Sequence, residues 1–74
     1  MKVTVKLFAY FRDGRFLVED REFPAETRVE EVVSGLAINR EEVGVLMINS
    51  RHCTFDTELH EGDVLAIFPV IGGG

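Results

Sequence analysis

Cysteine is nearly absent: Cys53 stands alone in 74 residues, so no internal disulfide can form, and a single thiol is not a zinc pattern. Long apolar runs are missing too, and no stretch approaches the length needed to cross a bilayer. The first seven residues alternate apolar with polar side chains and lack the unbroken apolar stretch and small-residue cleavage site of a signal peptide. A soluble, cytoplasmic protein without membrane contact is therefore the expectation. Basic charge is in deficit, with eight Lys and Arg against thirteen Asp and Glu, a net charge of -5, and the basic residues are scattered. That balance repels a phosphate backbone, which excludes nucleic acid as a natural partner and favours a basic protein surface. No internal repeat or low-complexity segment precedes the last residues.

What remains is a chain of one-domain length whose hydrophobic fraction, 46%, is rich in Val, Ile, Leu and Phe. A domain this small buries only about 60% of the surface that its unfolded chain exposes. Without disulfide or metal, ordinary apolar burial must hold the fold.

The period of the apolar pattern then assigns elements. Met1, Val3, Val5 and Leu7 fall on one face of an extended segment, with Lys2, Thr4 and Lys6 on the other, which marks a half-buried strand. Asp13-Gly14 suits a tight hairpin turn, and Phe16-Leu17-Val18 resumes an apolar run, although Phe23 is out of phase with Phe16 and Val18. Val29, Val32, Val33 and Leu36 then recur at helical spacing. Thr27 and Glu30 read as a capping box opening a helix of about three turns, weakened at its end by Gly35. Residues 39–42 are a polar connection, Val45 to Asn49 a strand, and Asn49-Ser50 a turn into a short outer strand at Arg51-His52-Cys53. After a loop and a Glu61-Gly62-Asp63 turn, Val64 to Phe68 is apolar on both faces, as in a strand inside a sheet. Two hairpins joined by a helix that packs across one face of a mixed sheet form a ubiquitin-like β-grasp of the α+β class.

The chemistry points to the end of the chain. Pro69 closes the last strand, and Gly72, Gly73 and Gly74 carry no side chain to pack, so the expected organisation is a domain over residues 1–71 and a flexible tail over residues 72–74. A frayed terminus is the plain interpretation. The functional one is that a backbone without Cβ atoms threads a narrow channel in a partner enzyme and presents only the terminal carboxylate. A carboxylate is a poor electrophile and must be activated, most simply by adenylation at a partner's ATP site. A sulfur donor that displaces AMP would leave a C-terminal thiocarboxylate.

The segment Gly62-Asp63-Val64-Leu65-Ala66-Ile67-Phe68-Pro69, followed by Gly73-Gly74, resembles the C-terminal signature of the MoaD/ThiS sulfur carriers of molybdopterin and thiamin biosynthesis. The opening Val5-Lys6-Leu7-Phe8-Ala9 is similar to the first strand of the molybdopterin branch. The resemblance implies that Gly74 bears the acyl-adenylate and then the thiocarboxylate, and that Gly72 and Gly73 occupy the partner's channel. It implies that Phe68 and Ile71, with Phe8 if exposed, dock the partner. It also implies a non-catalytic carrier with no bound cofactor, ATP being used by an E1-like adenylating enzyme, and a molybdopterin synthase large subunit or an equivalent enzyme as sulfur acceptor. Val70, where many members have a second proline, and the third glycine, Gly72, depart from the pattern. Alternatives are a thiamin-thiazole carrier and a protein modifier conjugated through Gly74.

Side-chain chemistry is poorly supported. His52, Cys53 and His60 have ligand atoms, but neighbouring strand residues point to opposite faces and no fourth ligand stands at a zinc spacing, so no metal site is expected. Cys53 reads as a small, partly buried apolar residue. Glu30-Glu31 and Glu41-Glu42 read as solvated pairs. Phe8 and Tyr10 are placed on the strand face of Lys2, Thr4 and Lys6, either covered by a loop or open to a partner.

Overall fold

The first strand, β1 (Lys2–Leu7), forms where the alternation begins, and Val3, Val5 and Leu7 are wholly buried. In this computed structural model, which describes residues 1–70, the chain then leaves the sheet at once. Ala9 takes a left-handed φ of 51° and opens a 3-10 turn over Ala9–Arg12, whose Phe11 enters the core. The return strand, β2 (Val18–Glu22), pairs antiparallel with β1, Val3 lying opposite Arg21. The expected tight hairpin is thus corrected: Asp13-Gly14 does turn, with Gly14 at φ 69°, but inside a longer connection. The phase conflict between Phe16 and Phe23 disappears with it. Both lie just outside β2 and pack on the core from its two ends.

The helix α1 (Val29–Gly35) has seven residues, about two turns instead of three. Val29, Val32 and Val33 face the core. Its cap lies one residue later than Thr27-Glu30. The Glu31 carboxylate accepts the Arg28 N–H at 3.0 Å, and an arginine side chain has no acceptor to return the bond. The Thr27 hydroxyl donates backwards to the Pro24 carbonyl instead. The first helical amides are satisfied by the loop before the last strand: Val29 N–H donates to the Thr57 carbonyl and Glu30 N–H to that of Phe55.

Past a second 3-10 turn at Arg40–Glu42, strand β3 (Val43–Ile48) starts two residues before Val45, turns through Asn49 and Ser50, both at positive φ, and pairs with the two-residue β4 (Arg51–His52). The last strand, β5 (Val64–Pro69), runs through the middle of the sheet, parallel to β1 and antiparallel to β3, in the order β2-β1-β5-β3-β4. This is the mixed sheet of a ubiquitin-like β-grasp. Leu65 and Ile67 join Val29, Val32 and Val33 of the helix in the core, Pro69 is buried at the strand's end, and Val64, Ala66 and Phe68 line the opposite, half-open face. No described helix is long and apolar enough to cross a membrane.

Candidate functional site

The register of the central strands builds the site. Leu7 lies beside Ile67 on the buried side, so the next residues, Phe8 and Phe68, meet on the open side. Their rings stack with centroids 4.1 Å apart and planes 14° from parallel, an arrangement worth about 0.5–1.5 kcal/mol beyond area burial. The left-handed residue Ala9 turns the chain so that Arg12 comes back over this pair. Its Nε donates to the Leu7 carbonyl at 2.8 Å, and its guanidinium carbon lies 5.4 Å from the Phe8 ring centre. From the other side of β5, Val45 stands opposite Phe68 and Met47 opposite Ala66. Phe68, Pro69, Val70, Val43, Val45 and Met47 line a shallow apolar groove. Phe8, Val45, Met47 and Phe68 thus make a continuous apolar surface on the uncovered face, with Lys6 and Arg12 beside it.

Phe8 and Phe68 are therefore brought together as a candidate docking surface. Tyr10 is not part of that strand face. It belongs to the 3-10 turn, is 46% exposed, and its hydroxyl donates to the Glu42 carboxylate at 3.2 Å. Val45, Met47 and Arg12 were missed at the level of sequence. The alternation Val45-Leu46-Met47 was a signal for the first two, hidden by the apolar residues at 43 and 48. Arg12 needed the Ala9 turn, for which the sequence holds no sign. Ile71, Gly72, Gly73 and Gly74, together with the expected boundary between domain and tail, lie outside the described residues. The last described residue, Val70, is exposed and sits at the edge of the aromatic surface.

The side chains weighed as rivals, His52, Cys53 and His60, line one shallow pocket with Glu58 and Asp63 but form no reactive constellation. Cys53 is half-buried against the core, and burial, then the nearby Asp63 carboxylate, push its thiol pKa up, which keeps it protonated and a weak nucleophile near neutral pH. His60 is exposed between Glu58 at 4.0 Å and Asp63 at 3.9 Å, and His52 is exposed on β4. No group of three or more His, Cys, Asp or Glu among the described residues is arranged to hold a metal ion. A wider cleft beside the helix, lined by Glu30, Glu31, Ser34, Arg40 and Phe55, has the Arg40 guanidinium stacked 4.1 Å over Phe55 and contains no nucleophile paired with a base.

Among solved structures, the chain is similar to a Pyrococcus furiosus protein described as molybdopterin converting factor subunit 1, at 30% identity and a TM-score of 0.78, over 96% of this chain and 99% of that one. SAMP1 from Haloferax volcanii matches at 20% identity and a TM-score of 0.77 over the whole of both chains. A complex of subunits 1 and 2 of the molybdopterin-converting factor from Helicobacter pylori includes a chain matched at 18% identity and a TM-score of 0.67, again over both chains in full. These last two likenesses concern the fold. No curated protein matches the chain in sequence. The ThiS family model matches residues 5–74, from the middle of β1 through the glycines, and the chain belongs to that family, the ubiquitin-like sulfur carriers of the MoaD/ThiS group, whose members are small carrier subunits and not catalysts.

Proposed function

We propose that the chain is the sulfur-carrying small subunit of a molybdopterin-type synthase, with Gly74 as its reactive end. The observation that carries this reading is the position of Val70: β5 delivers the chain to the edge of the Phe8–Phe68 surface four residues before Gly74. Those residues, fully extended, reach at most about 14 Å, enough for a carboxylate to enter a buried active site while the aromatic surface stays outside on the partner. In the first step the carboxylate oxygen attacks the α-phosphorus of ATP in an E1-like adenylating enzyme, forming an acyl-adenylate and releasing pyrophosphate. A sulfide-level donor then adds to the acyl carbon, AMP leaves, and a thiocarboxylate remains. The carrier itself binds no cofactor and supplies no acid or base.

In the second step the charged tail enters a large subunit, where the sulfur attacks a pterin precursor and the carrier returns as carboxylate after hydrolysis. Support comes from the 30% identical neighbour described as a molybdopterin converting factor subunit and from the association of subunits 1 and 2 in the Helicobacter pylori structure. The domain over residues 1–71 is the docking body, and residues 72–74 are the part that enters the channel, with Ile71 at its mouth. The test is ATP–pyrophosphate exchange with the cognate adenylating enzyme. Exchange should require a free Gly74 and stop when one residue is appended, and equal exchange by the extended chain refutes the reading. Supplying the thiocarboxylated protein to pterin- and thiazole-forming enzymes separates the branches. Pterin sulfuration is expected, and thiazole formation alone, or isopeptide conjugates to target lysines, would reassign the carrier.

A further inference from the structure

Gly44 interrupts the pairing of β3 with β5. Val43 lies opposite Pro69 and Val45 opposite Phe68, so Gly44 is the extra residue of a β-bulge, located where the chain is about to leave the sheet. Its backbone is not left-handed, and the reason for glycine is space. A Cβ at this position would stand 2.7 Å from the Pro69 carbonyl oxygen, 2.9 Å from the Val70 Cα and 3.0 Å from the Pro69 carbonyl carbon. All three are main-chain atoms that no rotamer change can move aside. A Cβ at Gly35, by contrast, would meet nothing within 4 Å. Beside the bulge, the Val70 N–H donates to the Glu42 carbonyl at 2.8 Å, and the Glu42 carboxylate receives the Tyr10 hydroxyl. Tyr10 in turn lies in the 3-10 turn that holds Arg12 over Phe8. The root of the tail is thereby tied to the same turn as the aromatic surface.

We propose that Gly44 is a positioning residue for the root of the C-terminal tail: its missing side chain lets Pro69 and Val70 lie against β3, and this contact sets the direction of the chain at Val70, beside the Phe8–Phe68 surface. Its consequence for catalysis rests on the reading that Gly74 reacts inside a partner. Any side chain at position 44 must push the root outward, and an error of about 1 Å in placing a reacting group can cost on the order of a hundredfold in rate. Docking, which uses side chains on the open face, should be untouched.

The experiment compares wild type, Gly44→Ala and the control Gly35→Ala by two readouts. The first is amide hydrogen exchange: in Gly44→Ala the Val70 N–H should exchange at least about tenfold faster while Leu65 and Ile67 stay protected, and Gly35→Ala should match wild type. The second is adenylation kinetics with the cognate activating enzyme, where Gly44→Ala should lower kcat by roughly ten- to a hundredfold and leave KM for the carrier unchanged. Unchanged Val70 exchange, an unchanged kcat, or loss of protection throughout β5 would overturn the proposal. If wild type is not adenylated at all, the carrier reading fails, and the Val70 exchange alone still decides whether Gly44 holds the root.

Discussion

Ala37 takes a φ of 58° just beyond α1, where the Ile38 N–H reaches back to the Val33 carbonyl and the Ala37 N–H to that of Ser34. This is the helix-ending pattern that ordinarily employs glycine, because a Cβ in the left-handed region is penalised. Arg15 holds the strained turn, its guanidinium donating to the Leu36 and Ala37 carbonyls at 3.0 and 3.2 Å. Ala37→Gly is expected to raise stability by about 0.5–1 kcal/mol, the relief of strain exceeding the added freedom of the unfolded chain, and thermal unfolding measures it. At Cys53 the raised pKa sets the expectation for reactivity. Alkylation near neutral pH should be slower than for a free cysteine and should accelerate as the pH rises toward the thiol's shifted pKa, because only the thiolate reacts. The sign for stability follows from the same shift. Protonated Cys53 stabilises the fold fully below the thiol pKa of the unfolded chain, and this contribution is lost as the pH rises through the higher folded value. Cys53→Ser should retain sulfur transfer, and a persulfide on Cys53 required for activity would contradict the mechanism.

Elements divide into those that hold the fold and those that serve the tail. Val32, 2% exposed on α1, belongs to the first kind. Val32→Ala deletes two methyl groups' worth of burial and leaves a cavity, so a loss of about 2 kcal/mol is expected, with a fall in Tm on the order of 10 °C. Gly73→Phe should leave Tm nearly unchanged and abolish transfer, because a bulky side chain would obstruct the proposed partner channel. The elements with strict periodicity were legible in sequence: β1, because one face alternates without exception, and the apolar face of α1, because Val29, Val32 and Val33 follow the helical repeat. The boundaries were less so. Thr27-Glu30 carries the letters of a capping box, yet the Thr57 and Phe55 carbonyls, from a loop far along the chain, decide where the helix starts. The excursion at Ala9–Arg12 was hidden for a related reason. Phe11 is drawn inward to complete a core only the assembled sheet defines, and a left-handed alanine follows from that demand instead of from local preference. In the exposed edge strand β2, Glu19, Asp20 and Glu22 put charge where an unpaired edge would otherwise invite another strand.

The whole molecule combines a net negative charge with one apolar face, at whose edge Val70, the last described residue, lies. Docking and chemistry should therefore be separable. Phe68→Ala removes half of the aromatic stack and should weaken association with a large subunit by about 2 kcal/mol, roughly thirtyfold in Kd, whereas Glu58→Ala, remote from that face, should change it little. Titration calorimetry with the cognate large subunit gives both values. The candidate docking residues Phe8 and Phe68 could be named from sequence, but their meeting required the parallel register of β1 and β5, which pairs residues some sixty positions apart. The proposed reactive group is the carboxylate of Gly74, and intact-mass analysis reads it directly. After incubation with the cognate adenylating enzyme, ATP and a sulfur donor, the protein should gain the mass of one oxygen replaced by one sulfur, with fragmentation locating the change on Gly74. Sulfur found on Cys53 instead, or no exchange under conditions in which the enzyme activates another carrier, would contradict the account.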